Sequence, residues 1–134
     1  MHLPRIHIID SDQTAALVTK LGLEARLKSE ADVGIVSDTH DIHRLAREPV
    51  DLLIVDPGAQ SQAATALVRI LQADYPETPL LVLTAYDSPR LRAQMRKLGV
   101  HSYLAKPVGV LDLETVVRTM MRRRKEAIVD TEPS

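Results

Sequence analysis

A doubly wound α/β domain, (βα)₅ with a parallel five-stranded sheet, is predicted by three observations. Apolar runs alternate with amphipathic stretches along the chain, the pattern of successive βα units. Two of those runs, Leu52 to Val55 and Leu80 to Leu83, are apolar at every position, as strands covered by helices on both faces should be. Acids close two runs, Ile6-His7-Ile8-Ile9-Asp10 and Leu52-Leu53-Ile54-Val55-Asp56, and Lys106-Pro107 follows a third, Val100 to Leu104. Short connections then favour the strand order 2-1-3-4-5, with the carboxyl ends of the strands meeting at one crevice.

The first strand is expected at 5–10, with His7 as a packed or rim residue, and the first helix at 12–28 with Asp12 as its cap. A second strand at 32–37 leads to a helix at 40–48, where His40 and His43 share a polar face and read as surface rather than as metal ligands. The third strand, 51–56, is followed by a helix at 61–74 whose Ala63, Ala64, Leu67, Val68, Ile70 and Leu71 form a broad apolar face. The fourth strand, 79–84, closes on Thr84. Ser88 before Pro89 marks the start of a fourth helix at 88–98, and Gly99 its end. Its Arg90, Arg92, Arg96 and Lys97 read as a solvated basic face. A fifth strand at 100–104 precedes a fifth helix at 110–126, closed by Arg122-Arg123-Arg124-Lys125, cations that suit a helix carboxyl end. Residues 1–126 form the domain, and 127–134 read as a tail or the start of a linker to an absent output domain.

With 134 residues the chain fits one domain, and its core must be aliphatic, because it holds no Phe or Trp and three Tyr. Seventeen basic against eighteen acidic residues give a net charge of −1, which argues against nucleic acid or an anionic membrane as a partner of the domain. The absence of cysteine removes disulfides, thiolate metal sites and thiol nucleophiles. No apolar run has the length of a signal peptide core or a membrane span, so a cytoplasmic protein is expected.

In this topology the first and third strands are neighbours, so Asp10 and Asp56 face one another. Paired carboxylates suit a divalent cation such as Mg²⁺, and Lys106 can pair with an acid or with phosphoryl oxygens. Each acid could instead merely cap a βα turn; the aligned lysine favours the chemical reading.

Together, Ile-Ile-Asp10, Asp51-Leu-Leu-Ile-Val-Asp56, Leu-Val-Leu-Thr84-Ala85, Leu98-Gly99-Val-His-Ser-Tyr103 and Leu-Ala-Lys106-Pro107 resemble the receiver domain of two-component response regulators. The resemblance runs from Arg5 to about Lys125 and implies a flavodoxin-like, CheY-like fold. It further implies that Asp56 accepts a phosphoryl group from a histidine kinase or phosphotransfer protein, with Mg²⁺ held by Asp10, Asp56 and the Gly58 backbone. Lys106, Thr84 and Ala85 would bind the phosphoryl group, Lys106-Pro107 would be a cis peptide, and Tyr103 would turn inward. That movement would alter the face made by the fourth helix, fifth strand and fifth helix, where an effector, an output domain or a second copy would dock. The chain would be a switch and not a turnover enzyme.

Two departures stand out. Ser11, a neutral and weaker donor, occupies the place of the family's second acid, so metal affinity should fall unless Asp12 or water substitutes for the lost charged ligand. After the acceptor come Pro57, Ala59, Gln60 and Ala64 where the family favours other residues. Both favour a rival, a phosphorylation-independent docking or dimerisation module of the same fold. An enzyme rival also exists, because Asp10-Ser11-Asp12-Gln13-Thr14 matches the first motif of haloacid-dehalogenase-type phosphatases. That reading leaves Asp56 without a role and lacks a later acidic pair.

Overall fold

The computed structural model describes residues 3–36 and 49–131, and in 128–131 the backbone alone. The helix expected at 40–48, with His40 and His43, lies outside the described residues. Strands β1 (Arg5–Asp10), β2 (Asp32–Val36), β3 (Leu52–Asp56), β4 (Leu80–Thr84) and β5 (Ser102–Ala105) form one parallel sheet of order β2-β1-β3-β4-β5. The described helices are α1 (Gln13–Leu27), α2 (Ser61–Asp74), α3 (Pro89–Leu98) and α4 (Val110–Thr131).

Every residue of β3 and β4 is buried because each strand feeds two cores. Side chains alternate across a strand, so Leu52 and Ile54 join the layer under α1 and α4, while Leu53 and Val55 join the layer under α2 and α3. Ala16, Leu23 and Leu27 of α1 meet Leu113 and Val117 of α4 in the first layer. Val68 and Leu71 of α2 meet Leu91 and Met95 of α3 in the second. Burying one such aliphatic side chain contributes about 1.5–3 kcal/mol, so both layers are needed to hold the sheet's polar rim in place.

Local signals set most helix ends. The Asp12 side chain accepts from the Ala15 N–H at 3.0 Å, making it the cap of α1. Ser88 accepts from the Leu91 N–H at 3.0 Å, Pro89 takes the first helical position, and Gly99 closes α3 with φ 81°. Helix α4 differs from expectation by running on to Thr131. The basic run is made of good helix formers, and no glycine or proline interrupts 110–132. The α2 face is also narrower than its composition suggests: Ala64, Val68 and Leu71 are buried, whereas Ala63 is exposed and Ile70 is 44% exposed.

Within the basic run, Arg124 is tied down. Its Nε donates to Asp51 Oδ1 at 3.2 Å and its Nη1 to the Glu77 carbonyl at 2.6 Å. Asp51 in turn accepts from the Arg5 N–H at 2.8 Å. The carboxyl end of α4 is thereby fastened to the amino-terminal rim of the sheet, and the opposite rim is left for chemistry.

Candidate functional site

Register alone assembles the carboxyl rim. Asp10 pairs with Asp56 across β1 and β3, and Thr84 with Ala105 across β4 and β5. Lys106 comes directly after Ala105, so its ammonium reaches back over the strand ends. It lies 2.9 Å from Asp10 Oδ2 and 3.4 Å from Asp56 Oδ2. The Lys106–Pro107 peptide is cis. The side chains of Asp10 and Asp56 are 7% and 4% exposed, and that of Lys106 is 20% exposed, so the charges face one another with little water between them.

Asp56 is held by four donors. Oδ1 accepts from the Gly58 N–H and from the Thr84 hydroxyl, both at 3.0 Å. Oδ2 accepts from the Ala85 N–H at 2.9 Å and from Lys106. Gly58 has φ 90°, a left-handed value that glycine adopts without strain, so the chain can turn sharply just after this N–H meets the acid. Thr84 is fully buried, and its oxygen also accepts from the Tyr86 N–H at 2.9 Å. Burial works against the charge on Lys106, but the hydrogen bond and field of Asp10, reinforced by Asp56, outweigh it. The lysine pKa is raised above its ordinary value, so the ammonium keeps its charge at neutral pH.

The residues singled out in the sequence therefore separate into two groups. Asp10, Asp56, Thr84, Ala85 and Lys106 converge. Asp12 points its carboxylate into the first turn of α1, while its own N–H donates to Asp10 Oδ1 at 2.9 Å. Ser11 is exposed and brings no charge. Tyr103 donates its hydroxyl to Asp87 Oδ1 at 2.8 Å rather than to Asp10 or Asp56. Asp87 was not apparent from sequence: an acid ahead of Ser88-Pro89 looks like ordinary helix-start chemistry, and only the fold brings Tyr103 to it.

As a metal site, the cluster offers two carboxylates. Among the described residues there is no group of three or more His, Cys, Asp or Glu side chains placed to hold an ion. Such a set does fit Mg²⁺, which keeps several waters and is commonly bound through one or two carboxylates together with phosphate oxygens. Two carboxylates against one ammonium also leave the pocket with net negative charge.

Fold and rim together are those of a doubly wound α/β domain with an acid-and-lysine cluster at the carboxyl ends of its strands. The chain belongs to the response regulator receiver domain family, whose family model matches residues 6–118, and it is accordingly a receiver domain of two-component signalling. It is similar to the response regulator protein PilR of Pseudomonas aeruginosa, 38% identical over 90 residues that cover 64% of this chain and 20% of PilR. It is also similar to the phosphate regulon transcriptional regulatory protein PhoB of Rhizobium meliloti, 30% identical over 132 residues, 96% of this chain and 57% of PhoB. The chain thus spans a fifth of one relative and little more than half of the other. Among solved structures, a CheY-like receiver domain protein from Methanospirillum hungatei superposes with a TM-score of 0.81 at 22% identity, over 94% of this chain and 99% of that one. A response regulator from Burkholderia pseudomallei, solved with a phosphorylated aspartic acid, calcium ion and citrate, gives a TM-score of 0.72 at 25% identity, over 97% of this chain and 75% of that one.

Proposed function

We propose that this chain is a phosphoryl-accepting switch in which Asp56 takes a phosphoryl group from the phosphohistidine of a partner kinase or phosphotransfer protein. The observation that carries the reading is the four-donor cradle around Asp56, with Asp10 and Lys106 converging on it. An oxygen of Asp56 attacks phosphorus, the phosphorus–nitrogen bond breaks, and the imidazole leaves with the bonding pair. Lys106 offsets the added negative charge and follows the phosphoryl group. The Thr84 hydroxyl and Ala85 N–H, already on Asp56, turn to the new phosphoryl oxygens. Mg²⁺ held by Asp10, Asp56 and the Gly58 carbonyl, with Ser11 or Asp12 reached through water, would add positive charge opposite those oxygens. Because Asp12 is engaged as a helix cap and Ser11 is neutral, metal should saturate only at high concentration.

Leu17, Val18 and Leu21 of α1 and Val110 and Leu111 of α4 are exposed, and Val18, Gly22 and Val110 line a hollow that also includes Lys106 and Pro107. That apolar surface beside the acceptor suits a helical phosphodonor. The α3–β5–α4 face is assigned to the output, whether an effector, a second copy or an output domain of the kind that the length of PilR and PhoB leaves room for. Residues 1–126 constitute the switch and 127–134 the tail or linker start, in a cytoplasmic protein. Among the described residues no helix is long and apolar enough to cross a membrane.

The test is exposure to acetyl phosphate or phosphoramidate with Mg²⁺, followed by intact-mass measurement. One labile phosphoryl adduct on the wild type, missing from Asp56→Asn, supports the switch. A second reading, the phosphorylation-independent docking module, is favoured by Ser11 and the two-acid cluster. No adduct, together with no spectral response to beryllofluoride, would establish it instead. For the phosphatase rival, the Asp12 cap is an obstacle, since that carboxylate would have to serve as acid and base. Multiple turnover of a phosphomonoester with Mg²⁺ would reverse this judgement.

A further inference from the structure

We propose that Asp87 is a positioning residue of the switch, a latch that holds Tyr103 outward and must be released when Asp56 is phosphorylated. The proposal deepens the phosphoryl-accepting reading of Asp56 and rests on it.

Both oxygens of Asp87 are engaged. Oδ1 accepts from the Tyr103 hydroxyl at 2.8 Å, and Oδ2 accepts from Arg92 Nη2 at 2.6 Å. The same guanidinium lies 5.6 Å from the centroid of the Tyr103 ring, within the range of a cation–π contact. The tyrosine is therefore gripped at its hydroxyl by an anion and on its face by a cation, which are themselves paired. Its ring rests partly buried against the α2–α3 core layer. Two residues near the start of α3 and one from β5 make this clamp, and none of them bonds Asp56.

The latch shares a short loop with the acceptor. Ala85 and Tyr86 separate Thr84 from Asp87. At one end of the loop, the Ala85 N–H and the Thr84 hydroxyl bond Asp56, while the Tyr86 N–H bonds the Thr84 oxygen. At the other end, Asp87 bonds Tyr103. A phosphoryl group on Asp56 draws off Thr84 and Ala85, and the Tyr86 N–H loses its acceptor. The loop must then re-form, and Asp87 moves with it. Latch bonds made only in the outward arrangement oppose this change. By linkage, whatever weakens them raises the affinity of the site for a phosphoryl group by the same factor.

The experiment uses the full chain as wild type, Asp87→Ala, Tyr103→Phe and the double variant, titrated with beryllofluoride and Mg²⁺. Each single variant should bind the analogue roughly fivefold tighter, the low end of coupling between sites for a latch that faces solvent. The double variant should gain no more than either single one. A direct readout of the contact is the ionisation of Tyr103, followed by NMR with ring-labelled tyrosine. Burial first, then the hydrogen bond and charge of Asp87, push that pKa up to about 12, against a smaller opposing effect of Arg92 and the Ser88 backbone. It should move down in Asp87→Ala.

An unchanged Tyr103 titration overturns the latch. Unchanged or weaker analogue binding in the single variants overturns the positioning role while leaving the wild-type acceptor intact, as does additivity in the double variant. If the wild type itself takes up neither beryllofluoride nor acetyl phosphate, the Asp56 reading fails, and the positioning role fails with it.

Discussion

Replacing Lys106 by methionine should destabilise the metal-free protein and make its stability depend on Mg²⁺. The ammonium lies 2.9 Å from Asp10 and 3.4 Å from Asp56. At an effective dielectric near 20, those separations correspond to about 6 and about 5 kcal/mol of attraction. Desolvation of all three groups offsets much of this, so the net loss must be smaller. With the lysine gone, the two carboxylates on paired strand positions repel directly, with no cation between them. Breaking a fully buried pair by removing one partner costs about 3–5 kcal/mol. The pocket opens to water, and a loss of about 1–3 kcal/mol is therefore expected. Urea unfolding in chelator should show this as a lower midpoint with an unchanged slope. Adding Mg²⁺ should restore more stability to Lys106→Met than to the wild type, because the cation no longer competes with an ammonium for the same oxygens. A variant as stable as the wild type in chelator, or one indifferent to Mg²⁺, would refute the argument that Lys106 balances the acid pair.

Three further outcomes are expected. Arg124→Ala should lower stability by about 1 kcal/mol, the scale of a part-exposed ion pair with a carbonyl hydrogen bond, and speed amide exchange at the carboxyl end of α4; equal protection in both proteins would contradict the fastening role. Gly22→Ala should raise the urea midpoint, since alanine favours a helix interior over glycine by about 0.8–1 kcal/mol. The new Cβ would meet Val110 Cγ2 at 3.3 Å, but Val110 is 41% exposed and can shift. Destabilisation would mean that the contact between α1 and α4 is rigid there. Finally, Arg118 bonds Glu30, and Arg26 and Arg118 bond Glu114, holding both carboxyls below the usual glutamate range. A depressed folded-state pKa contributes stability above the unfolded value, which is lost as pH falls through the folded one. Acid unfolding should therefore be displaced least, relative to neutral pH, in Glu114→Gln, and added salt should reduce the difference.

The parts of this fold that could be read from sequence are those set locally. Leu52 to Val55 and Leu80 to Leu83 announce doubly covered strands, and Asp12, Ser88, Pro89 and Gly99 mark helix ends through their own backbone chemistry. The convergence of Asp10, Asp56 and Lys106 was legible for a different reason: a parallel sheet brings its carboxyl ends to one rim, so strand order suffices to place them. What escaped depends on tertiary contact. Ile70 has the right spacing to be buried but lies on the edge of the α2 face. Arg124 looks like its neighbours in a basic run until the fold sets it beside Asp51 and the Glu77 carbonyl. Asp87 acquires Tyr103 as a partner only once β5 lies next to β4.

The central claim is that phosphoryl chemistry occurs at position 56, and locating the adduct tests it most directly. After exposure to acetyl phosphate and Mg²⁺, borohydride reduces an aspartyl phosphate to homoserine, which peptide mass spectrometry can place in the chain. The account predicts homoserine at Asp56 and at no other acid. Conversion at Asp10, the nucleophile of the phosphatase reading, or no conversion at any aspartate, would contradict it.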